Sequence, residues 1–188
     1  ALAAVNSITS YTTPGTIVLT LSGSETAPVK GFVIGSATLN PLLSSTNTIT
    51  LNGGGTATIN AGVGTASPTS ASPDGMLYLN GADHVTIDGI IFTDGNSASS
   101  TVAMEFGVAL FKRTAGDGSN NNTIQNCTFN MQRINNTSGT APMIEGAVGI
   151  LVINSTATAA TTALTPTNGG TLATNGTNSG NKFYTNTI

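Results

Sequence analysis

Three stretches of the chain repeat one pattern without a gap, and that repetition restricts the available folds more than any other feature. They are Val85-Thr86-Ile87-Asp88-Gly89-Ile90-Ile91-Phe92, Asn122-Thr123-Ile124-Gln125-Asn126-Cys127-Thr128-Phe129 and Asn181-Lys182-Phe183-Tyr184-Thr185-Asn186-Thr187-Ile188. The first, fourth and sixth residues of a six-residue core (Ile87, Ile90, Phe92; Ile124, Cys127, Phe129; Phe183, Asn186, Ile188) would share one side if a strand turned a corner at its middle. A second pattern precedes each copy: Met76-Leu77-Tyr78-Leu79-Asn80, Gly107-Val108-Ala109-Leu110-Phe111 and Gly149-Ile150-Leu151-Val152-Ile153. The unit is therefore a strand, a loop, a bent strand and a long return. β-type self-similarity at this spacing predicts a solenoid whose coils stack to bury a continuous core. In it Ile87, Ile124 and Phe183 form one inward column, and Ile90, Cys127 and Asn186 the next.

The chain has 188 residues, enough for one domain, 1–188, in which 76–188 holds the three clearest units. Only 7% of its residues are charged, against roughly one quarter in ordinary soluble proteins. Thr, Ser and Asn take over the polar surface, as residues that suit strand faces and turns. A net charge of −3 with five Lys and Arg in all argues against nucleic acid. The lone Cys127 sits at an inward position and reads as a small buried hydrophobe. Sparse Lys and one Cys fit an extracellular protein that does not rely on disulfides. No apolar run approaches a membrane span, and the first residues lack the order of a signal peptide. Ile188 closes a copy of the bent strand with nothing after it, so a longer natural chain or a docked subunit is expected there.

Residues 1–10 read as an amino-terminal cap with helix-like spacing over Leu2 to Ile8. Thr16 to Leu21, Gly31 to Ile34 and Thr48 to Leu51 read as strands, and Gly53-Gly54-Gly55 as a tight corner entering another strand through Asn60. The loops inside the units (Asn80 to His84, Lys112 to Asn121, Asn154 to Asn181) lengthen steadily and should pile up as one loop-decorated face. The stretch from Asn154 to Gly180 is either mobile or held flat by hydrogen bonds.

A family resemblance follows from these segments. Gly23 to Pro28, Asp83 to Gly89, Met104 to Phe111, Asn121 to Cys127 and Asn181 to Ile188 resemble the amino-terminal region of very large secreted surface proteins of the Bacteroidota. The resemblance implies a right-handed parallel β-helix, similar in coil pattern to pectate lyases. It also implies a cell-surface, adhesin-like role and export by type IX secretion.

β-Helix enzymes that cleave polysaccharides use clustered carboxylates on Ca²⁺ or a pair of acids across the glycosidic bond. Asp83, Asp88 and Asp94 lie close in sequence, and Asp88 is expected to face outward with Gln125 and Tyr184 at the equivalent places of the next copies. Gln125 cannot act as acid or base, so the acid pair is missing and no catalytic residue is assigned. Asp83 and Asp94 read as turn residues. His84, the single histidine, reads as a turn or surface residue rather than a metal ligand. Asp117-Gly118-Ser119-Asn120-Asn121-Asn122 has the look of a weak Ca²⁺ loop or of a turn followed by an Asn stack, and no other cofactor is expected. Lys112 and Arg113 are expected to pair with Glu105 at the surface. Sequons at Asn121, Asn126 and Asn175 are inevitable in a chain of this composition. Tyr11, Tyr78 and Tyr184, without Trp, offer little stacking platform for sugars.

The candidate ligand face is thus Asp83, Asp88, Asp94, Lys112, Arg113 and Asp117. The expected function is an extracellular structural or adhesive module that contacts polysaccharide, a surface or its own copies, without membrane insertion. The alternatives are a carbohydrate-active β-helix enzyme and a subunit of a self-assembling filament.

Overall fold

The structure is a computed structural model and describes residues 1–64, 73–98, 102–132, 147–167 and 175–188. Helix α1 (Leu2–Asn6) opens the chain, followed by strands β1 (Gly15–Thr20), β2 (Ser24–Thr26) and β3 (Phe32–Ile34). After a 3-10 turn at Asn40–Leu42 come β4 (Asn47–Asn60), β5 (Gly75–Asn80), β6 (Val85–Thr93) and β7 (Phe106–Phe111). The last are β8 (Thr123–Gln125), β9 (Thr128–Asn130), β10 (Val148–Val152) and β11 (Lys182–Tyr184). The fold is mostly β, and every ladder between these strands is parallel.

Two sheets result. The larger runs β1-β4-β6-β8-β11, with β2 against the second half of β4 and β9 against the second half of β6. The smaller runs β10-β7-β5-β3. Registers follow the sequence alignment of the repeated patterns: Ile87 pairs with Ile124 and Ile124 with Phe183, while Leu77 pairs with Val108 and Val108 with Ile150. Shifting a strand of the larger sheet by one residue would turn its apolar side outward.

The corner at the middle of the bent strand has a backbone cause. Gly89, Asn126 and Thr185 occupy the same place in the three copies and all have left-handed backbone, φ 63°, 55° and 48°. Gly and Asn adopt that conformation most readily, and Thr185 does so at a cost. A second left-handed column, His84, Asn121 and Gly180, turns the chain just before each copy. The region read as a strand plus a separate corner strand is instead one bent strand, β4. Five residue steps from Asn52 to Ala57 lie opposite two from Asp88 to Ile90, and the exposed Gly54 and Gly55 carry the excess. Gly53 is needed for a different reason, because a Cβ there would come within 2.5 Å of the Gly89 carbonyl oxygen.

Between the sheets lies the main core, with Leu51, Ile87 and Ile124, then Ile90 and Cys127, then Ile59, Phe92 and Phe129 buried in successive columns. The third copy departs from pure packing. Asn186 occupies the column of Cys127 and uses its side-chain amide on the backbone, accepting from the Cys127 amide at 3.0 Å and donating to the Ile124 carbonyl at 2.9 Å. Phe183 keeps its register but is 43% exposed, and Ile188 is 78% exposed. Among the described residues no strand covers them.

A second apolar cluster lies on the other side of the smaller sheet. Phe106, Ala109, Phe111 and Leu151 are buried there, with Tyr78 edge-on to Phe111 at 5.7 Å between ring centroids. Ala157 and Ala160 cover them. They belong to the long Asn154 to Gly180 stretch, whose described part is held by hydrogen bonds rather than free: the Leu164 amide donates to Asn154, Thr167 to Ala115 and Gly176 to Thr167.

Helix α1 sits on the start of the smaller sheet. Asn6 fixes it by donating to the Val33 carbonyl at 2.9 Å and accepting from the Gly35 amide at 2.8 Å.

Candidate functional site

The loops expected to pile up do stack, through backbone bonds from Gly81 to Phe111, His84 to Asn120, Lys112 to Ser155 and Gly118 to Asn175. Their polar side chains point into the stack rather than out of it. Asn122 accepts from the Val85 amide at 2.8 Å and donates to the Ala82 carbonyl at 2.9 Å, and Asn181 repeats this with the Asn122 amide at 2.9 Å and the Ser119 carbonyl at 2.9 Å. This is the Asn stack read from the sequence after Asp117.

Of the six residues expected on a ligand face, four are buried: Asp83, Asp94, Lys112 and Asp117. Asp94 closes a turn, accepting from the Asn96 and Met104 amides at 2.9 and 2.8 Å. Asp83 accepts from the Asn120 amide, and burial pushes its carboxyl up to about 7 despite that bond. Burial also raises Asp117, opposed by hydrogen bonds from Asn40 and Arg113. The Lys112 amine is pushed down by burial and meets no hydrogen-bond partner among the described residues.

The surface pairs expected around Glu105 do not form. Arg113 pairs with Asp117 at 2.5 Å, four residues on, and keeps a side chain 31% exposed. Glu105 is buried, accepts from the Asp74 amide at 2.5 Å and is raised to about 8, chiefly by burial and in part by the neighbouring Asp74 carboxylate. Lys30 faces the same group through an ion pair with Asp74 at 2.6 Å. These acids are separated from solvent, so they hold loops together rather than offering a reactive surface.

Of the four aspartates expected on the ligand face, half-buried Asp88 is the one that the fold leaves on an outer face. It lies between Asn52 and Gln125 in adjacent strands, and Tyr184 follows Gln125 in the next. Both its oxygens are held: Gln125 Nε2 donates to one at 2.8 Å and Asn126 Nδ2 to the other at 2.8 Å. Asn126 is oriented in turn by Thr185, whose hydroxyl donates to its side-chain oxygen at 2.6 Å. Tyr184 is 49% exposed beside this group. The sequence signal for Asp88, Gln125 and Tyr184 was the gapless alignment; the role of Asn126 was hidden because its left-handed backbone aims the side chain sideways along the corner.

Chemically, the cluster is one carboxylate with several amides and a phenol. It lacks the second acid that glycoside hydrolysis uses. Among the described residues no group of three or more His, Cys, Asp or Glu could hold a metal ion, and no helix is long and apolar enough to cross a membrane. A cavity of about 420 Å³ beneath α1 is lined by Leu2, Leu19, Phe32, Leu51 and Leu77, with Glu25 as the ionisable side chain in its wall. It presents apolar volume and no arrangement for chemistry.

Compared with known proteins, the chain matches no family model, no curated protein and no solved structure.

Proposed function

We propose that the chain is a right-handed parallel β-helix acting as an extracellular structural and adhesive module, with the outer face around Asp88 in contact with neutral polysaccharide. The observation that carries this reading is the Asp88 carboxylate, held on both oxygens by the amides of Gln125 and Asn126. A carboxylate fixed in this way needs little further ordering to accept hydrogen bonds from sugar hydroxyls. The exposed Tyr184 ring adds an apolar face against which sugar C–H groups can lie. Right-handedness is the hand that parallel strand crossovers take. The low charge of the chain suits a neutral rather than an acidic glycan. Membership among secreted Bacteroidota surface proteins belongs to the same proposal.

The test is retention of the purified protein on insoluble neutral polysaccharides, with elution by soluble oligosaccharides. Asp88→Ala and Tyr184→Ala are expected to lower retention while leaving the melting transition in place. Equal retention of wild type and both variants, or release of soluble products abolished by Asp88→Asn, overturns the adhesive reading.

A further inference from the structure

Beyond the corner at Gly89, Asn126 and Thr185, the second limbs of the bent strands build another outer face. Thr58, Ile91 and Thr128 on β4, β6 and β9 stand in one column with Thr187, which bridges to Thr128, and with Ser24 of β2 next to Thr58 at its start. Thr26, Asn60, Thr93 and Asn130 form a parallel column two residues further along. Of the residues between them, Ile59, Phe92 and Phe129 are buried, and Glu25, between Ser24 and Thr26, is in register with Ile59 and lines the cavity beneath α1, so the two columns face outward together. No position of either column is ionisable. Neighbours are tied within the face, Asn60 Nδ2 donating to Ser24 Oγ at 2.5 Å and Asn130 Nδ2 to Thr93 Oγ1 at 3.4 Å.

We infer that this face binds the ordered water lattice of an ice crystal. Parallel strands repeat at about 4.8 Å, and alternate residues along a strand at about 6.6 Å. The oxygen rows on a prism face of hexagonal ice repeat at one distance slightly shorter than the strand spacing and at another somewhat longer than the alternate-residue spacing, a mismatch that a face only two columns wide does not accumulate. Six of the nine positions carry a hydroxyl, five of them on Thr. Threonine is stiff at χ1, so each hydroxyl and methyl is preset by the backbone, and anchoring a water layer costs little side-chain entropy. Charge complementarity points the same way. A charged group organises its own hydration shell against the lattice, and this face has none, whereas the limb before the corner carries Asp88 and Lys182. The register through these limbs is unbroken from Ala57 to Asn60 against Ile90 to Thr93, and from Ile91 to Thr93 against Thr128 to Asn130, which keeps the two spacings regular.

The inference does not rest on the glycan reading, because Asp88 and Tyr184 lie on the other limb. Its test is the growth of single ice crystals and the recrystallisation of frozen sucrose in the presence of the purified chain. Faceted crystals, thermal hysteresis and arrested recrystallisation are expected for the wild type. Thr128→Lys and Thr93→Lys should each abolish them, whereas Thr86→Lys, outward on the first limb, should not; melting curves verify that each variant is folded. Ice growth unaltered by the wild type overturns the inference whatever the variants do. So does equal loss in Thr86→Lys and Thr128→Lys. Retention on crystalline cellulose or chitin that Thr128→Lys removes, without any effect on ice, would assign the face to a polysaccharide crystal instead.

Discussion

The Phe129 ring lies on the Phe92 ring with centroids 5.1 Å apart and planes 4° from parallel. The pair is the packing consequence of register, since the two residues are direct partners in adjacent strands. Both are buried, and replacing Phe92 with Ala leaves a void that the neighbouring columns fill only in part. The expected loss is about 3–5 kcal/mol, read as a lower urea midpoint at unchanged slope. A loss below about 1 kcal/mol would show that the stack is not part of a tightly packed core.

Cys127 is 1% exposed and burial raises its thiol. It should react with a thiol reagent only as fast as the protein opens, and readily in urea. Cys127→Asp is expected to cost at least about 2 kcal/mol, because the carboxyl would have no water and no cation within the column. Rapid labelling of the native protein contradicts the burial.

Asn122 serves two backbone groups at once, the Val85 amide and the Ala82 carbonyl. Asn122→Ala leaves both orphaned, and each unsatisfied buried group costs about 1–3 kcal/mol. Hydrogen exchange reads this directly. The Val85 amide should lose its protection, while that of Thr128, bonded in a different ladder, should fall only with global stability.

Glu105 carries a prediction about pH. Its carboxyl titrates at about 8 in the fold against an ordinary value of 4.5, and Asp83 at about 7 against 3.8. The folded state therefore holds more protons than the unfolded state between these limits, and stability falls as pH rises through the window. Melting temperature should drop from about pH 5 to about pH 8. Glu105→Gln, which keeps an acceptor for the Asp74 amide, should flatten much of that decline. A melting temperature that rises over the same window would refute the protonated, buried Glu105.

Much of the larger sheet was legible because a β-ladder converts sequence alignment into spatial register. Ile87, Ile124 and Phe183 align in the chain and pair in the fold for the same reason: a parallel strand offset by one residue would expose its apolar side. Asp88, Gln125 and Tyr184 were legible by the same logic on the outer side. The buried acids were not. Asp94 and Asp117 each precede a Gly and Asp83 follows Gly81 by two residues, as surface turn residues commonly do, and only the stacking of one loop on the next removes them from water. Glu105 was assigned to the wrong partners because its real neighbours, Asp74 and Lys30, lie 31 and 75 positions before it.

The sequence by itself determined the strand character, the inward columns, the burial of Cys127 and the outward place of Asp88, since all of these follow from local periodicity repeated in register. The tertiary structure decided what covers what. It laid Ala157 and Ala160 over Phe111, turned Asn126 onto Asp88 through a left-handed corner, joined two halves of β4 across three glycines and drew Lys112 out of solvent. Those outcomes depend on contacts between segments whose separation along the chain carries no periodic signal, and on how loops of unequal length settle on one another.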